Sequence, residues 1–147
     1  MHIAAAQRGA HNPGVKICAA TDLSDAGHAA VARAIAWAEQ TSSELTLLHV
    51  VHDPELAPAL GDDVPGDVER AREALAELAA GAAPDCHVDV RAAEDVAGAI
   101  LAASAGCDYL FVGCQGKSAL ERLRLGSVAT AVMRKSATPV VCCPSPN

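Results

Sequence analysis

Residues Glu44 to Val51 read ELTLLHVV, and this run constrains the fold more tightly than any other stretch of the chain. A strand with one wet face alternates apolar and polar residues, but here leucine and valine occupy both parities, so both faces must be covered. A parallel strand in an α/β protein meets that demand, because its crossover helices lie on both sides of the sheet. The neighbouring segments follow the same pattern. Val15 to Ala20 is a strand ending in Thr21-Asp22-Leu23-Ser24, where Ser24 suits a helix N-cap. The helix it opens runs from Asp25 to about Gln40, with Val31, Ile35 and Ala38 on one face and Trp37 covering the edge of that stripe.

Beyond ELTLLHVV lies a loop containing Pro54, Pro58, Gly61, Pro65 and Gly66. Asp67 then caps a helix whose Val68, Ala71, Leu75 and Leu78 recur at helical spacing, closed by Gly81 to Asp85. Cys86 to Arg91 alternates as a third strand nearer a sheet edge. Val96, Ile100 and Ala103 mark a third helix ended by Gly106, and Tyr109 to Val112 forms a fourth strand. A last helix follows Ser127, with Val128, Val132 and Met133 facing inward, and Thr138-Pro139 opens a final strand, Val140 to Cys143.

Strand and helix alternate throughout, which predicts a three-layer α/β fold: a doubly wound, five-stranded parallel sheet with right-handed crossovers and helices on both faces. Ligands in such sheets bind outside the strand carboxyl ends, where the winding reverses. Two informative loops lie at such ends, after strands one and four. For them to share a site those strands must be neighbours, which gives the order 3-2-1-4-5 and leaves strand five at an edge.

Composition narrows the function classes. Half of the residues are hydrophobic (51%), yet the chain has one Trp, one Tyr and one Phe, so Ala, Val, Leu and Ile fill the core. Its 147 residues fit a single domain over 15–147 behind a loose N-terminal extension, residues 1–14. A net charge of −7 argues against nucleic acid, which needs a basic face. No run is long and apolar enough to span a bilayer, and the opening residues lack the apolar core of a signal peptide, so a cytoplasmic location is expected. Six cysteines (Cys18, Cys86, Cys107, Cys114, Cys142 and Cys143) include no C-x-x-C pair and read as small buried hydrophobes. Cys142 and Cys143 are adjacent in a strand and face opposite ways, which disfavours a shared metal.

The densest functional signal is Gly113-Cys114-Gln115-Gly116, followed after nine residues by Gly126-Ser127. Glycine lets backbone approach an anion closely. Gly126-Ser127 stands at a helix start, where free N–H groups and the helix dipole attract negative charge, and the Ser127 hydroxyl adds a donor. Such glycines can equally be turn punctuation, and Asp22 can equally serve as a helix cap.

With these residues the chain resembles the nucleotide-binding branch of the universal stress protein family, whose signature is G-x2-G-x9-G-[ST]. The spacing of Gly113, Gly116, Gly126 and Ser127 matches throughout. The resemblance extends from the strand ending in Thr21-Asp22 through LLHVV to the closing Pro-Val-Val strand. It implies that Asp22 and the Val50 backbone hold adenine, with Ala20 and Thr21 lining that end. It assigns Gly113 and Gly116, after Val112, to ribose and phosphates, and Gly126, Ser127 and Val128 to the phosphate chain. The implied ligand is ATP, or ADP or AMP, with Mg²⁺ bridging phosphate oxygens. A homodimer through the edge strand Val140–Cys143 and a protein partner are also implied. The sequence departs from the family at Ala20, where proline is frequent, at Ala129, where some members carry a hydroxyl, and at Arg91-Ala92-Ala93, which lacks a glycine.

Other candidates are weaker. Gly116-Lys117-Ser118 mimics the end of a Walker A loop, but Phe111 stands where its first glycine is required. His49 reads as a satisfied core histidine, His28 as surface, and Asp62-Asp63 as a solvated loop. Cys114 lies in the ligand loop with nothing nearby in sequence to lower its pKa. No residue near the glycine loop reads as a general base, so the expected role is regulatory binding. A weak ATPase or phosphotransferase, and a nucleotide-free interaction module, are the alternatives.

Overall fold

The computed structural model describes residues 14–52, 64–82, 86–114 and 126–145. They form β1 (Lys16–Ala20), α1 (Asp25–Thr41), β2 (Glu44–His52), α2 (Val64–Ala80), β3 (Cys86–Ala93), α3 (Val96–Ser104), β4 (Tyr109–Cys114), α4 (Ser127–Lys135) and β5 (Val140–Pro144). The extension and most of the proline-rich loop lie outside the described residues. The strands make one sheet in the order β3-β2-β1-β4-β5, parallel throughout. This is the expected order, with β3 and β5 at the edges.

The apolar run of β2 is buried on both faces, as its lack of alternation requires. Leu45 and Leu47 join one core with Ile17, Ala19 and Phe111, beneath Ala30, Val31, Ala34 and Ala38 of α1 and Leu75 of α2. Leu48 and Val50 join a second core on the opposite face with Cys18, Ala20, Leu110 and Val112, covered by Ile100 of α3 and Val132 of α4. The small side chains of α1 let it lie close to the sheet. Trp37 is 45% exposed and covers the helix edge in tilted ring contacts with Tyr109 and Phe111, at ring-centroid separations of 6.0 and 6.2 Å.

Three expectations need correction. The second helix begins at Val64, so Asp67 lies within its first turn and does not cap it. Pro65 and Gly66 are therefore helical rather than loop, because proline in a first turn lacks only an N–H that would have no intrahelical partner. In α4 only Val132 is buried; Val128 and Met133 are 38% and 43% exposed. A nine-residue helix laid on a sheet buries a narrow stripe, and Met133 instead lies beside the edge strand, where its sulfur accepts from the Cys142 thiol at 3.2 Å. Among the cysteines, Cys18 and Cys143 are buried, whereas Cys86, Cys107 and Cys142 are half-buried. Cys142 and Cys143 do face opposite cores.

Candidate functional site

At the carboxyl ends of β1 and β4, the central strands, the chain turns into α1 and toward α4. The register places Ala20 beside Leu48 on one side and Val112 on the other. All three side chains lie on the second face, and there the described residues enclose a cavity of about 230 Å³. Its floor is apolar, made by Leu48, Val50, Ile100, Val112 and Val132. Its rim is polar, made by Thr21, Asp22, Ser24 and the start of α4. An apolar floor with a few convergent polar groups is the usual character of a small-molecule site.

The turn after β1 is held by its own side chains. Thr21 is buried, donates its N–H to the Leu48 carbonyl at 2.9 Å, and accepts from the Leu23 N–H on its hydroxyl at 2.9 Å. His49 donates from Nδ1 to the Thr21 carbonyl at 2.7 Å, so it is satisfied as expected, although only half-buried. Leu23 adopts the left-handed region, φ 65°, a conformation that costs a non-glycine residue energy and recurs at functional turns. Asp22 is exposed; its Oδ1 accepts from the Ser24 backbone N–H at 3.0 Å and from the Ser24 hydroxyl. Ser24 in turn caps α1, accepting from the Gly27 N–H at 3.2 Å. Asp22 therefore does not cap α1 itself but braces Ser24, which does. A carboxylate has further acceptor sites, so this role leaves it able to take a ligand hydrogen bond.

Gly113 has a packing reason of its own. A Cβ there would come within 2.5 Å of the Ala26 carbonyl carbon and oxygen and 2.9 Å of the Gly27 nitrogen. The end of β4 thus passes directly against the first turn of α1, and only a residue without a side chain fits. That close approach draws the α1 N-terminus to the cavity wall, where Ala26 and Gly27 also line it.

The two helix N-termini at the cavity differ in a way that bears on its chemistry. The Ser24 side chain caps α1. In contrast, α4 begins after Gly126, which has no side chain to cap it, with φ −59° and ψ 158°. The Gly126 carbonyl accepts the Thr130 N–H at 2.9 Å, which is the first helical bond, so the N–H groups of Ser127, Val128 and Ala129 precede the helical ladder. N–H groups ahead of the helical ladder and the positive end of the dipole favour negative charge at this end of the cavity.

The structure brings Ala20, Thr21, Asp22, Val50, Val112, Gly113, Gly126, Ser127 and Val128 to this one cavity. Gly116 and Lys117 lie outside the described residues, as does the Cys114 side chain. Reading the sequence missed Ser24, Ala26 and Gly27 from α1, and Leu48, Val96, Ile100 and Val132 from the floor. Ser24 had a local signal, as a cap; the floor residues look like ordinary core until the sheet is assembled. A second hollow, about 460 Å³, adjoins the first through Val96, Ser127 and Val128 and is edged by His52, Glu94 and Asp95. Among the described residues, no group of three or more His, Cys, Asp or Glu could hold a metal ion.

A parallel sheet in this order, with a cavity at the reversal between β1 and β4, defines a doubly wound α/β fold with a candidate ligand site where such folds place one. The model of the universal stress protein family matches residues 15–144, and the chain belongs to that family. Among solved structures it is similar to the universal stress protein UspA from Lactobacillus plantarum, with 23% identity and a TM-score of 0.71 over 89% of this chain and 98% of that one. It is also similar to a universal stress protein in complex with cAMP, with 26% identity and a TM-score of 0.64 over 92% of this chain and 100% of the other. A third is an Arabidopsis thaliana member with AMP bound, with 18% identity and a TM-score of 0.59 over 90% and 92% of the two chains.

Proposed function

We propose that this chain binds an adenine nucleotide in the cavity and acts as a regulatory protein whose nucleotide occupancy is read by a partner or a second subunit. The observation that carries the reading is the pairing of an apolar floor with the start of α4, whose N-cap is a glycine, across one cavity. A flat base suits the floor, and a phosphate suits free N–H groups at a helix start. In this assignment Asp22 and the Val50 backbone meet the adenine beside Ala20 and Thr21. Gly113 and Gly116, after Val112, meet the ribose and phosphates, and Gly126, Ser127 and Val128 hold the phosphate chain. The family membership and the relative solved with cAMP support it.

ATP is the proposed ligand, with ADP and AMP as shorter forms that keep the base contacts. Mg²⁺ would join the complex through the phosphate oxygens of the nucleotide. β5 stands at the end of the sheet, and its edge, with Val140 and Val141, is where a second copy would pair. No described helix is long and apolar enough to cross a membrane, and we place the protein in the cytoplasm.

Calorimetric titration with ATP, ADP, AMP and cAMP, with and without Mg²⁺, tests the ligand. Gly126→Val tests the site. Gly126 already has a φ of −59°, which valine adopts readily, so the backbone tolerates the change, and Gly126 lines the cavity, so the added side chain takes up ligand space. We expect affinity to fall at least tenfold, or about 1.4 kcal/mol, with the fold retained. Unchanged ATP affinity in this variant would refute the phosphate assignment.

A further inference from the structure

Two sulfur atoms meet at the edge of the sheet, on the face that carries the cavity. Cys142 belongs to β5, which ends the sheet beside β4, and it packs half-buried against the second core. Met133 belongs to the last turns of α4 and is exposed. The Cys142 thiol donates to the Met133 thioether sulfur across 3.2 Å. The backbone explains the meeting. Val132 is buried in the second core and seats α4 on the sheet, and one residue further round a helix is a turn of about 100°. That turn takes Met133 off the buried stripe to the side where β5 runs. Residues 136–139 join the two elements and are pinned at both ends. The Ser136 N–H donates to the Val132 carbonyl at 2.9 Å, and the Leu110 N–H donates to the Pro139 carbonyl at 2.9 Å. Between them the Ser136 hydroxyl donates to the Thr138 carbonyl at 2.7 Å and accepts from the Thr138 N–H at 3.0 Å. The two sulfurs therefore hang from backbone that is held in place before anything binds.

We propose that Cys142 and Met133 hold a soft monovalent cation, copper(I) or silver(I), between a thiolate and a thioether. Thiolate and thioether sulfur are the side-chain ligands that such cations select. One positive charge on one thiolate makes a neutral unit, which a half-buried sheet edge accepts without a charge left to solvate. Zinc(II) would keep a positive charge there and calls for a tetrahedral ligand set. Among the described residues no three His, Cys, Asp or Glu stand together to supply it. Cys143 cannot join the pair, because it belongs to the core on the other face.

On binding, the Cys142 S–H bond breaks and its proton goes to solvent, a sulfur–metal bond forms in its place, and the thioether donates a lone pair. No electrons change hands. The two sulfurs must part a little to admit the cation. Met133 supplies that movement, since its side chain is unbranched, has three rotatable bonds and is exposed.

The test uses the reduced full chain without oxygen, with copper(I) presented as its complex with the coloured chelator bathocuproine disulfonate. We expect one tightly held equivalent per chain. Alkylation of the loaded chain, mapped by mass spectrometry, should find Cys142 protected while the half-buried Cys86 and Cys107 react as they do without metal. Met133→Leu keeps all six cysteines and nearly the same volume at an exposed position, so it isolates the thioether. Affinity for that equivalent should fall by roughly tenfold or more, since losing even an outer partner of a metal ligand costs that much. Cys142→Ser should lose the equivalent altogether, and zinc(II) should leave Cys142 open to alkylation. Wild-type copper affinity in Met133→Leu, Cys142 alkylated equally with and without copper, or equal protection by zinc would overturn the proposal. The alkylation map is made on the unaltered chain and does not depend on how either variant folds.

Discussion

Replacing Gly113 with alanine separates two explanations of that glycine, and its consequence can be worked from the geometry. The added Cβ would meet the Ala26 carbonyl carbon and oxygen at 2.5 Å, where ordinary contact begins near 3.4 Å. Both obstructing atoms are backbone, in a helix turn whose cap, Ser24, is itself braced by Asp22. No side chain can rotate away, so α1 and the end of β4 must part by about 1 Å. Overpacking of this kind costs about 1–3 kcal/mol. For a chain of 147 residues, 2 kcal/mol lowers Tm by about 4–8 °C. Urea unfolding followed by circular dichroism should show a lower midpoint with an unchanged slope, since the surface exposed on unfolding is the same. Separating α1 from β4 also pulls Ala26 and Gly27 off the cavity wall, so nucleotide affinity should fall in the same variant. If Gly113→Ala is as stable as the parent, the close-approach argument is wrong. If it is stable and binds poorly, the glycine is there for the ligand alone.

Other perturbations should have smaller and more local effects. Ser24→Ala removes the side-chain cap of α1 and should destabilise by about 1 kcal/mol in thermal unfolding. Asp22→Ala should lose about 0.5–1 kcal/mol through the weakened Ser24 turn; an additional loss of adenine affinity supports the ligand role, whereas stability loss alone leaves only the bracing of Ser24. Thr138→Val removes the hydroxyl bond to the Ser104 carbonyl at 3.0 Å but leaves that carbonyl its bond from the Cys107 N–H at 2.9 Å, and should cost about 0.5–1.5 kcal/mol in denaturant titration. Phosphate release from ATP should stay at the level of the Gly126→Val control; turnover clearly above that control would make the protein an enzyme.

The strand order and helix sequence were legible because each segment advertises itself over several residues. ELTLLHVV could only be a two-face-buried strand, and Val31 and Ala38 of α1 had to face a sheet. Both ends of the site were legible for the same local reason: Thr21-Asp22 and Gly126-Ser127 sit where strands stop and helices start. What could not be read depends on tertiary placement. Ile100 and Val132 carry the same apolar signal whether they seal a core or floor a cavity. The α2 start was misplaced because Pro65-Gly66 resembles a loop, and only the completed helix shows that the first turn tolerates it. Val128 and Met133 were expected inside because helical spacing fixes which residues share a face, but not how much of that face the sheet covers. Gly113 looked like a ligand glycine, and the clash with Ala26 that explains it involves residues far apart in the chain.

The three aromatic residues of the chain, Trp37, Tyr109 and Phe111, form one cluster. Tyr109 and Phe111 pack in the core beneath α1, whereas the cavity floor belongs to the core on the other face. The molecule therefore carries a single tryptophan fluorophore separated from the site by the thickness of its sheet. A base entering the cavity cannot quench Trp37 by contact. Any change in tryptophan emission on titration with nucleotide reports movement of α1 against β4, transmitted at the seam where Gly113 meets Ala26. Emission that stays constant while calorimetry registers binding would mean that the site fills without disturbing that seam.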